Sequence, residues 1–165
     1  MFENIPQLHR KDRQISFEAC EAILQSAEYM VMATVDNEAI PYVTPLSFVY
    51  FEGKIYFHSG MHKGHKSSNL AENPYCSVAV VGKTQPVYAK NFTTYFESVI
   101  IFGKVSEITD SAKKKTVLFA LAEKYLPEYM HHAEQDINAS LERTAVYEIS
   151  LDIVTGKAKR ANKEA

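Results

Sequence analysis

Residues 40–66 read IPYVTPLSFVYFEGKIYFHSGMHKGHK, and this stretch contains the strongest signals for the fold. A long apolar run covers residues 40–51, and Glu52-Gly53-Lys54 then supplies turn residues. The following IYFHS alternates in the manner of a β-strand. Together with the apolar MVMATV at 30–35, the stretch predicts three strands in a meander.

The flanking sequence extends this sheet and adds helices. Ser16 can cap a helix over residues 16–28, and Asp110 can cap a second one containing Val117, Leu118 and Leu121. Further strands are expected at 75–81, along FTTYFESVIIFGKVSEI and at 145–154. Residues 82 to about 90 should form a loop, and Gly103 should mark a bulge. The last residues, GKAKRANKEA at 156–165, are expected to be frayed. The expected fold class is α+β, a single domain over residues 1–165 with mostly antiparallel strands forming a closed or nearly closed barrel flanked by helices.

Composition narrows the range of functions. The 165 residues carry a formal net charge of −2, which lacks the basic field that nucleic-acid binding requires. No stretch approaches the ~20 apolar residues of a membrane span, and the N-terminus lacks the apolar core of a secretory signal, so a cytoplasmic location is expected. Cys20 and Cys76 lie in apolar segments without metal-ligand spacing, and we interpret both as buried free thiols.

The segment HSGMHKGHK at 58–66 is the densest concentration of polar chemistry. It places Lys63, His65 and Lys66 where a strand runs into the start of a helix, and such a junction favours a phosphate group. The spacing matches neither a nucleotide P-loop nor a dinucleotide fingerprint. Taken alone, the cluster is more often a solvated loop.

Two neighbouring features point to a bound ring. Pro41 and Pro45 interrupt a β-like run, so this strand should be an edge strand or bulged, leaving backbone groups free for a planar heterocycle such as an isoalloxazine. A barrel corner explains these prolines equally well. Ser98 interrupts an apolar strand, and its hydroxyl needs a partner, for which cross-strand backbone is favoured somewhat over a ligand.

Read together, these segments resemble the flavin-binding split β-barrels related to pyridoxamine 5′-phosphate oxidase. The likeness is greatest to their NimA-like, 5-nitroimidazole-resistance branch. It rests on six short motifs that fall in order along the chain: RKDRQI at 10–15, PYVTPLSF at 41–48, IYFHSGMHKGHK at 55–66, NP at 73–74, YFESVIIFGK at 95–104 and VTGK at 154–157.

The resemblance implies a homodimer with FMN at the subunit interface. The residues that it assigns to the flavin ring are Val43, Thr44, Pro45 and Leu46. Those assigned to the ribityl chain and phosphate are Phe57, His58, Ser59, Lys63, His65 and Lys66. Tyr95 and Ser98 would approach from a neighbouring strand of the same or the other subunit. His65 occupies a position where the family often has Arg. Unlike Arg, the His65 side chain is charged at neutral pH only if its surroundings favour the protonated form.

The resemblance further implies an FMN-dependent oxidoreductase that passes electrons from NAD(P)H to a small organic or nitro-aromatic acceptor. A short C-terminus argues against pyridoxamine phosphate as the substrate. The alternatives are a flavin- or haem-binding module without turnover and a dimeric scaffold without a ligand. His58 is the candidate catalytic residue, although a hydrogen-bonded wall residue is the favoured interpretation because not every flavin reduction needs a proton donor. No metal site is expected.

Overall fold

The computed structural model describes residues 5, 8–61, 64–88 and 92–160. Within them, eight antiparallel strands and four helices form an α+β split barrel. The strands are β1 Met30–Val35, β2 Pro41–Leu46, β3 Val49–Phe51, β4 Lys54–Gly60, β5 Tyr75–Tyr88, β6 Phe92–Glu107, β7 Thr144–Ile149 and β8 Ile153–Lys159. The helices are α1 Phe17–Ser26, α2 His65–Glu72, α3 Ser111–Tyr125 and α4 Met130–Ser140.

The strands follow the order β2-β1-β5-β6-β7-β4-β3, and β8 pairs with β6. Among the described strands, β2, β3 and β8 each pair with one other strand only, so the barrel is not closed. The long strand β6 turns the corner of the barrel. Its first part pairs with β5, as far as Lys104, and with β8, as far as Phe102. From Val105 onward it pairs with β7.

Two apolar clusters hold this arrangement together. One fills the barrel, where Leu24 of α1 meets Met32, Phe57 and Ile101 from the strands. The other lies between the sheet and α3 and α4, and includes Tyr56, Val117 and Val146. Because Tyr56 and Phe57 are neighbours on β4, their opposite orientations place β4 between the two clusters.

Several predictions from the sequence are confirmed. Ser16 Oγ accepts a hydrogen bond from the Ala19 amide at the start of α1, and the Asp110 carboxylate accepts one from the Lys113 amide at the start of α3. Cys20 and Cys76 are buried free thiols. None of the helices in the described part of the chain has the length and apolar character needed to cross a membrane.

The predicted meander is wrong, because the apolar run 40–51 forms two strands that belong to different ends of the sheet. β2 pairs with β1, whereas β3 pairs with β4. The chain leaves the sheet at Phe48, whose amide donates to the Tyr125 hydroxyl and whose carbonyl accepts from Lys124 Nζ at 2.9 Å. Side chains of α3 therefore make the backbone hydrogen bonds to Phe48 that a neighbouring strand would otherwise make.

Three other boundaries also differ from the prediction. Residues 82–88 continue β5 after a shift in register between Val81 and Thr84, instead of forming a loop. The expected strand 145–154 is two strands, and residues 156–159 belong to β8 instead of fraying. Position 103 requires a glycine because the backbone at Ser150 passes close to it. A Cβ atom at position 103 would lie 1.9 Å from the Ser150 carbonyl oxygen.

Candidate functional site

Helix α2 bridges the two parts of the chain that the sequence singled out. The His65 ring stacks on Tyr42 of β2 with 4.3 Å between ring centroids. Lys66 Nζ lies 4.9 Å from the centre of the Phe57 ring on β4. His65 and Lys66 at the start of α2 therefore contact both the proline-containing strand β2 and strand β4.

A buried polar contact fixes the position of α2. Asn69 Nδ2 donates to Thr34 Oγ1 at 3.1 Å, and both side chains are almost fully buried. Thr34 lies on β1 directly opposite Tyr42 of β2. Because a buried amide that lost this partner would be left unsatisfied, the contact holds the helix against β1 and β2.

The first turn of α2 has the composition of an anion site. The helix begins after Gly64, which has no side chain to cap it, so the first backbone N–H groups are left without intrahelical partners. Lys66 is partly buried, and burial lowers the pKa of its ammonium group. Among the residues that the structure describes, none forms an ion pair with Lys66. A phosphate would supply the missing countercharge.

Strand β2, which contacts α2 through Tyr42, carries an unsatisfied hydroxyl. Thr44 Oγ1 is buried and has no hydrogen-bond partner within the described part of the chain. Thr44 alternates along β2 with Val43 and Pro45, which are exposed on the other face of the strand. Leu46 packs against the barrel core. In the described sheet, β2 pairs with β1 only, so its other edge leaves backbone N–H and C=O groups free for a ligand.

His58 and Ser59 follow Phe57 at the end of β4. The His58 ring is partly exposed, but the surrounding protein lowers its pKa, and the positive charge of Lys66 lowers it further. His58 is therefore neutral at pH 7. Ser59 Oγ donates to the Gly60 carbonyl oxygen at 3.3 Å. The neutral imidazole can either donate or accept a hydrogen bond, depending on its tautomer.

We predict that replacing Lys66 by Met raises the pKa of His58, because the substitution removes the nearby positive charge while leaving burial in place. The pKa is measured from imidazole chemical shifts in an NMR titration. Lys115→Met on α3 is the control and should leave the His58 titration unchanged. A His58 pKa that does not rise in Lys66→Met would contradict the electrostatic coupling of these two residues.

The remaining predicted site residues are not brought to α2 within one chain. Strands β1 and β5 separate β6 from β2 in the sheet, so Tyr95 and Ser98 of β6 do not lie beside Thr44. Ser98 pairs with Val81 and Lys157. Lys63 lies outside the described residues.

Comparison with known proteins places the chain in a family. The profile of the family described as pyridoxamine 5′-phosphate oxidase matches residues 16–158. The chain belongs to this pyridoxamine 5′-phosphate oxidase family. A search of curated proteins finds no match.

Solved structures with this fold include several described as binding proteins. A putative 5-nitroimidazole antibiotic resistance protein from Bacteroides thetaiotaomicron is 25% identical, with a TM-score of 0.75, over 88% of this chain and 86% of that one. The flavocytochrome Anf3 from Azotobacter vinelandii is 25% identical with a TM-score of 0.70, over 88% and 68%. An FAD and haem binding protein from Mycobacterium smegmatis shares the fold at 18% identity and a TM-score of 0.76, over 93% and 76%.

Three residues that build the site were not predicted from the sequence: Tyr42, Thr34 and Asn69. Tyr42 lies within the quoted PYVTPLSF motif, so its proximity to the prolines was an available signal. The contact between Thr34 and Asn69 joins residues 35 positions apart. No local pattern distinguishes such a pair from surface residues.

Proposed function

We propose that the chain binds FMN with its phosphate at the start of α2 and its ring against β2, and that it acts as an oxidoreductase. The observation that carries this proposal is the partly buried Lys66, which lacks an anionic partner among the described residues and lies at an uncapped helix start. Two structural relatives described as an FAD and haem binding protein and as a flavocytochrome support a flavin as the class of ligand.

The residues present fit the separate parts of FMN. Lys66, His65 and the free N–H groups of α2 would hold the phosphate, with Lys63 as a further candidate from the sequence. Phe57, His58 and Ser59 would follow the ribityl chain. The backbone of Val43, Thr44, Pro45 and Leu46, on the free edge of β2, would line the ring, whose edge offers both donors and acceptors.

We further propose that two chains associate through the outer face of the sheet. The registers place Pro45, Val31, Ala79 and Ile100 in one row across β2, β1, β5 and β6. Val43 lies on the same face and is 56% exposed, and Ile100 is 36% exposed. A contiguous apolar surface of this kind marks an interaction site. Association would also bring Ser98, on this face of β6, towards the partner subunit, whereas Tyr95 lies on the opposite face of the strand.

The dimer proposal predicts that Ile100→Lys produces a monomer, because it places an unpaired charge in the centre of an apolar interface. Light scattering coupled to size-exclusion chromatography measures the mass. Thr116→Lys, at an exposed position on α3, is the control and should remain a dimer. A monomeric unmodified protein, or a dimeric Ile100→Lys variant, would contradict an interface on this face.

When bound, the flavin would take electrons from a reduced nicotinamide and pass them to a small organic acceptor. The protein would orient the ring, neutralise the phosphate through Lys66 and keep His58 neutral beside the site. Anaerobic mixing of the FMN-loaded protein with NADH or NADPH tests the enzymatic part of the proposal. Rapid bleaching of the flavin absorption by either donor is expected. Slow reduction by both, or an intense Soret band in the isolated protein, would favour a binding module instead.

A further inference from the structure

The open end of the β1–β2 hairpin is attached to helix α3. Met30 and Leu46 form the last pair of the β1–β2 ladder. In the same register, Glu28 and Phe48 would be opposite each other two residues beyond this pair. Tyr125, the last residue of α3, hydrogen-bonds to the backbone of both. The end of α3 therefore takes the position at which the ladder would otherwise continue.

The Tyr125 hydroxyl joins the two strands of the hairpin. The Phe48 amide donates to Tyr125 Oη at 2.9 Å, and Tyr125 Oη donates to the Glu28 carbonyl oxygen at 2.6 Å. A single hydroxyl thus accepts from the segment after β2 and donates to the segment before β1. A phenylalanine at position 125 would leave one backbone donor and one backbone acceptor without these partners.

Lys124 completes the attachment of Phe48 to α3. Its Nζ donates to the Phe48 carbonyl oxygen at 2.9 Å and lies 4.0 Å from the centre of the Phe48 ring. That ring is fully buried in the barrel core. No ion pair links Lys124 to another residue in the described part of the chain. Two adjacent side chains of α3 therefore hold the amide, the carbonyl and the ring of one residue.

This attachment fixes the end of the strand that the flavin ring is proposed to contact. Phe48 follows Leu46, the last residue of β2, by two positions. Helix α2 contacts the beginning of the same strand through Tyr42. Residues 43–46, proposed for the flavin ring, lie between these two points of attachment. One edge of β2 has no neighbouring strand in the described sheet, so the two helices supply the restraint that such a strand would give.

We infer that Tyr125 and Lys124 are positioning residues for the flavin ring, because by holding Phe48 they fix the backbone of residues 43–46. The inference rests on the proposed function for its ligand. Backbone groups can hydrogen-bond a rigid heterocycle only when the strand that carries them is held in one position. The two residues would therefore affect binding of the ring, whereas Lys66 would affect binding of the phosphate.

The test compares FMN with riboflavin, which carries the same ring without the phosphate. Tyr125→Phe removes only the hydroxyl, and Lys124→Met removes the donor while keeping a side chain of similar length. Each variant should bind both flavins at least about fivefold more weakly, with the ratio of the two affinities unchanged. Affinities are measured by titrating the flavin-free full chain and following flavin fluorescence. Lys66→Met should instead lose affinity for FMN alone.

A spectroscopic signature separates positioning from a general stabilising role. The visible circular dichroism of bound flavin depends on the surroundings of the ring. Its bands should change in Tyr125→Phe and Lys124→Met, and should stay unchanged in Tyr129→Phe, a control at an exposed tyrosine after α3. Thermal unfolding establishes that the variants are folded. Burial lowers the pKa of Lys124, so loss of its charge should cost little stability even if Tyr125→Phe unfolds.

Hydrogen exchange of the flavin-free protein tests the attachment itself. The amides of Phe48 and of β2 should exchange at least about tenfold faster in Tyr125→Phe than in Tyr129→Phe, because the end of the hairpin is released. Unchanged riboflavin affinity and unchanged circular dichroism in both Tyr125→Phe and Lys124→Met would overturn the inference, even with a lower melting temperature. The proposed function fails differently: the unmodified protein then takes up neither flavin, while the hydrogen exchange of β2 still responds to Tyr125→Phe.

Discussion

Replacing Lys66 by Met should weaken FMN binding by about 10- to 100-fold, because a hydrogen bond to a charged group contributes about 1.5–3 kcal/mol. Methionine keeps a side chain of similar length and removes the charged ammonium group, which lies 4.9 Å from the centre of the Phe57 ring. Burial already lowers the pKa of Lys66, so the charge costs stability when no anion is bound. The melting temperature of the flavin-free variant should therefore be unchanged or higher. Affinity is measured by titrating flavin-free protein with FMN and following the quenching of flavin fluorescence.

Two comparisons separate this effect from a general loss of positive charge. Lys115→Met removes a lysine of α3, distant in sequence from α2, and should bind FMN as the unmodified protein does. Riboflavin, which lacks the phosphate, should bind Lys66→Met and the unmodified protein with similar affinity. If Lys66→Met retains full FMN affinity, the phosphate does not lie at α2.

Replacing Gly103 by Ala should destabilise the fold by at least about 3 kcal/mol, among the larger effects of a single substitution. The new Cβ would lie 1.9 Å from the Ser150 carbonyl oxygen and 3.0 Å from the Ile149 side chain. Ile149 is the last residue of β7, and Ser150 begins the turn after it, where the Ser150 amide donates to the Lys104 carbonyl oxygen. The added methyl group can be accommodated only by separating β6 from this turn, at the corner where β6 passes between the two halves of the barrel.

Chemical denaturation of flavin-free protein measures the loss. Gly60→Ala is the matched control, since it also lies in a strand but a Cβ there meets no atom within 4 Å. Its free energy of unfolding should stay within about 0.5 kcal/mol of the unmodified protein. A Gly103→Ala variant as stable as Gly60→Ala would show that the corner at β6 can relax, contrary to the packing described here.

The sequence predicted local structure well where local chemistry decides it. The caps at Ser16 and Asp110 are confirmed because each is satisfied by an amide only three residues away. The division of residues 40–51 into two strands could not be seen, because it depends on Lys124 and Tyr125 of α3, which lie 76 and 77 residues further along the chain. Long-range partners of this kind leave no trace in local periodicity.

For the candidate site too, the sequence predicted the local segments but not the long-range contacts between them. The motif at 58–66 and the prolines at 41 and 45 marked the two segments that meet at α2. Their actual contact, the stacking of His65 on Tyr42, depends on how α2 is placed against the sheet.

The central claim is that the uncapped start of α2, together with Lys66, holds the phosphate of FMN beside the proline-containing strand β2. The most direct measurement is the absorption spectrum and mass of the ligand released when the purified full chain is denatured. A yellow protein that releases FMN is the predicted result. Release of haem or FAD, or a colourless protein that takes up no added FMN, would contradict it.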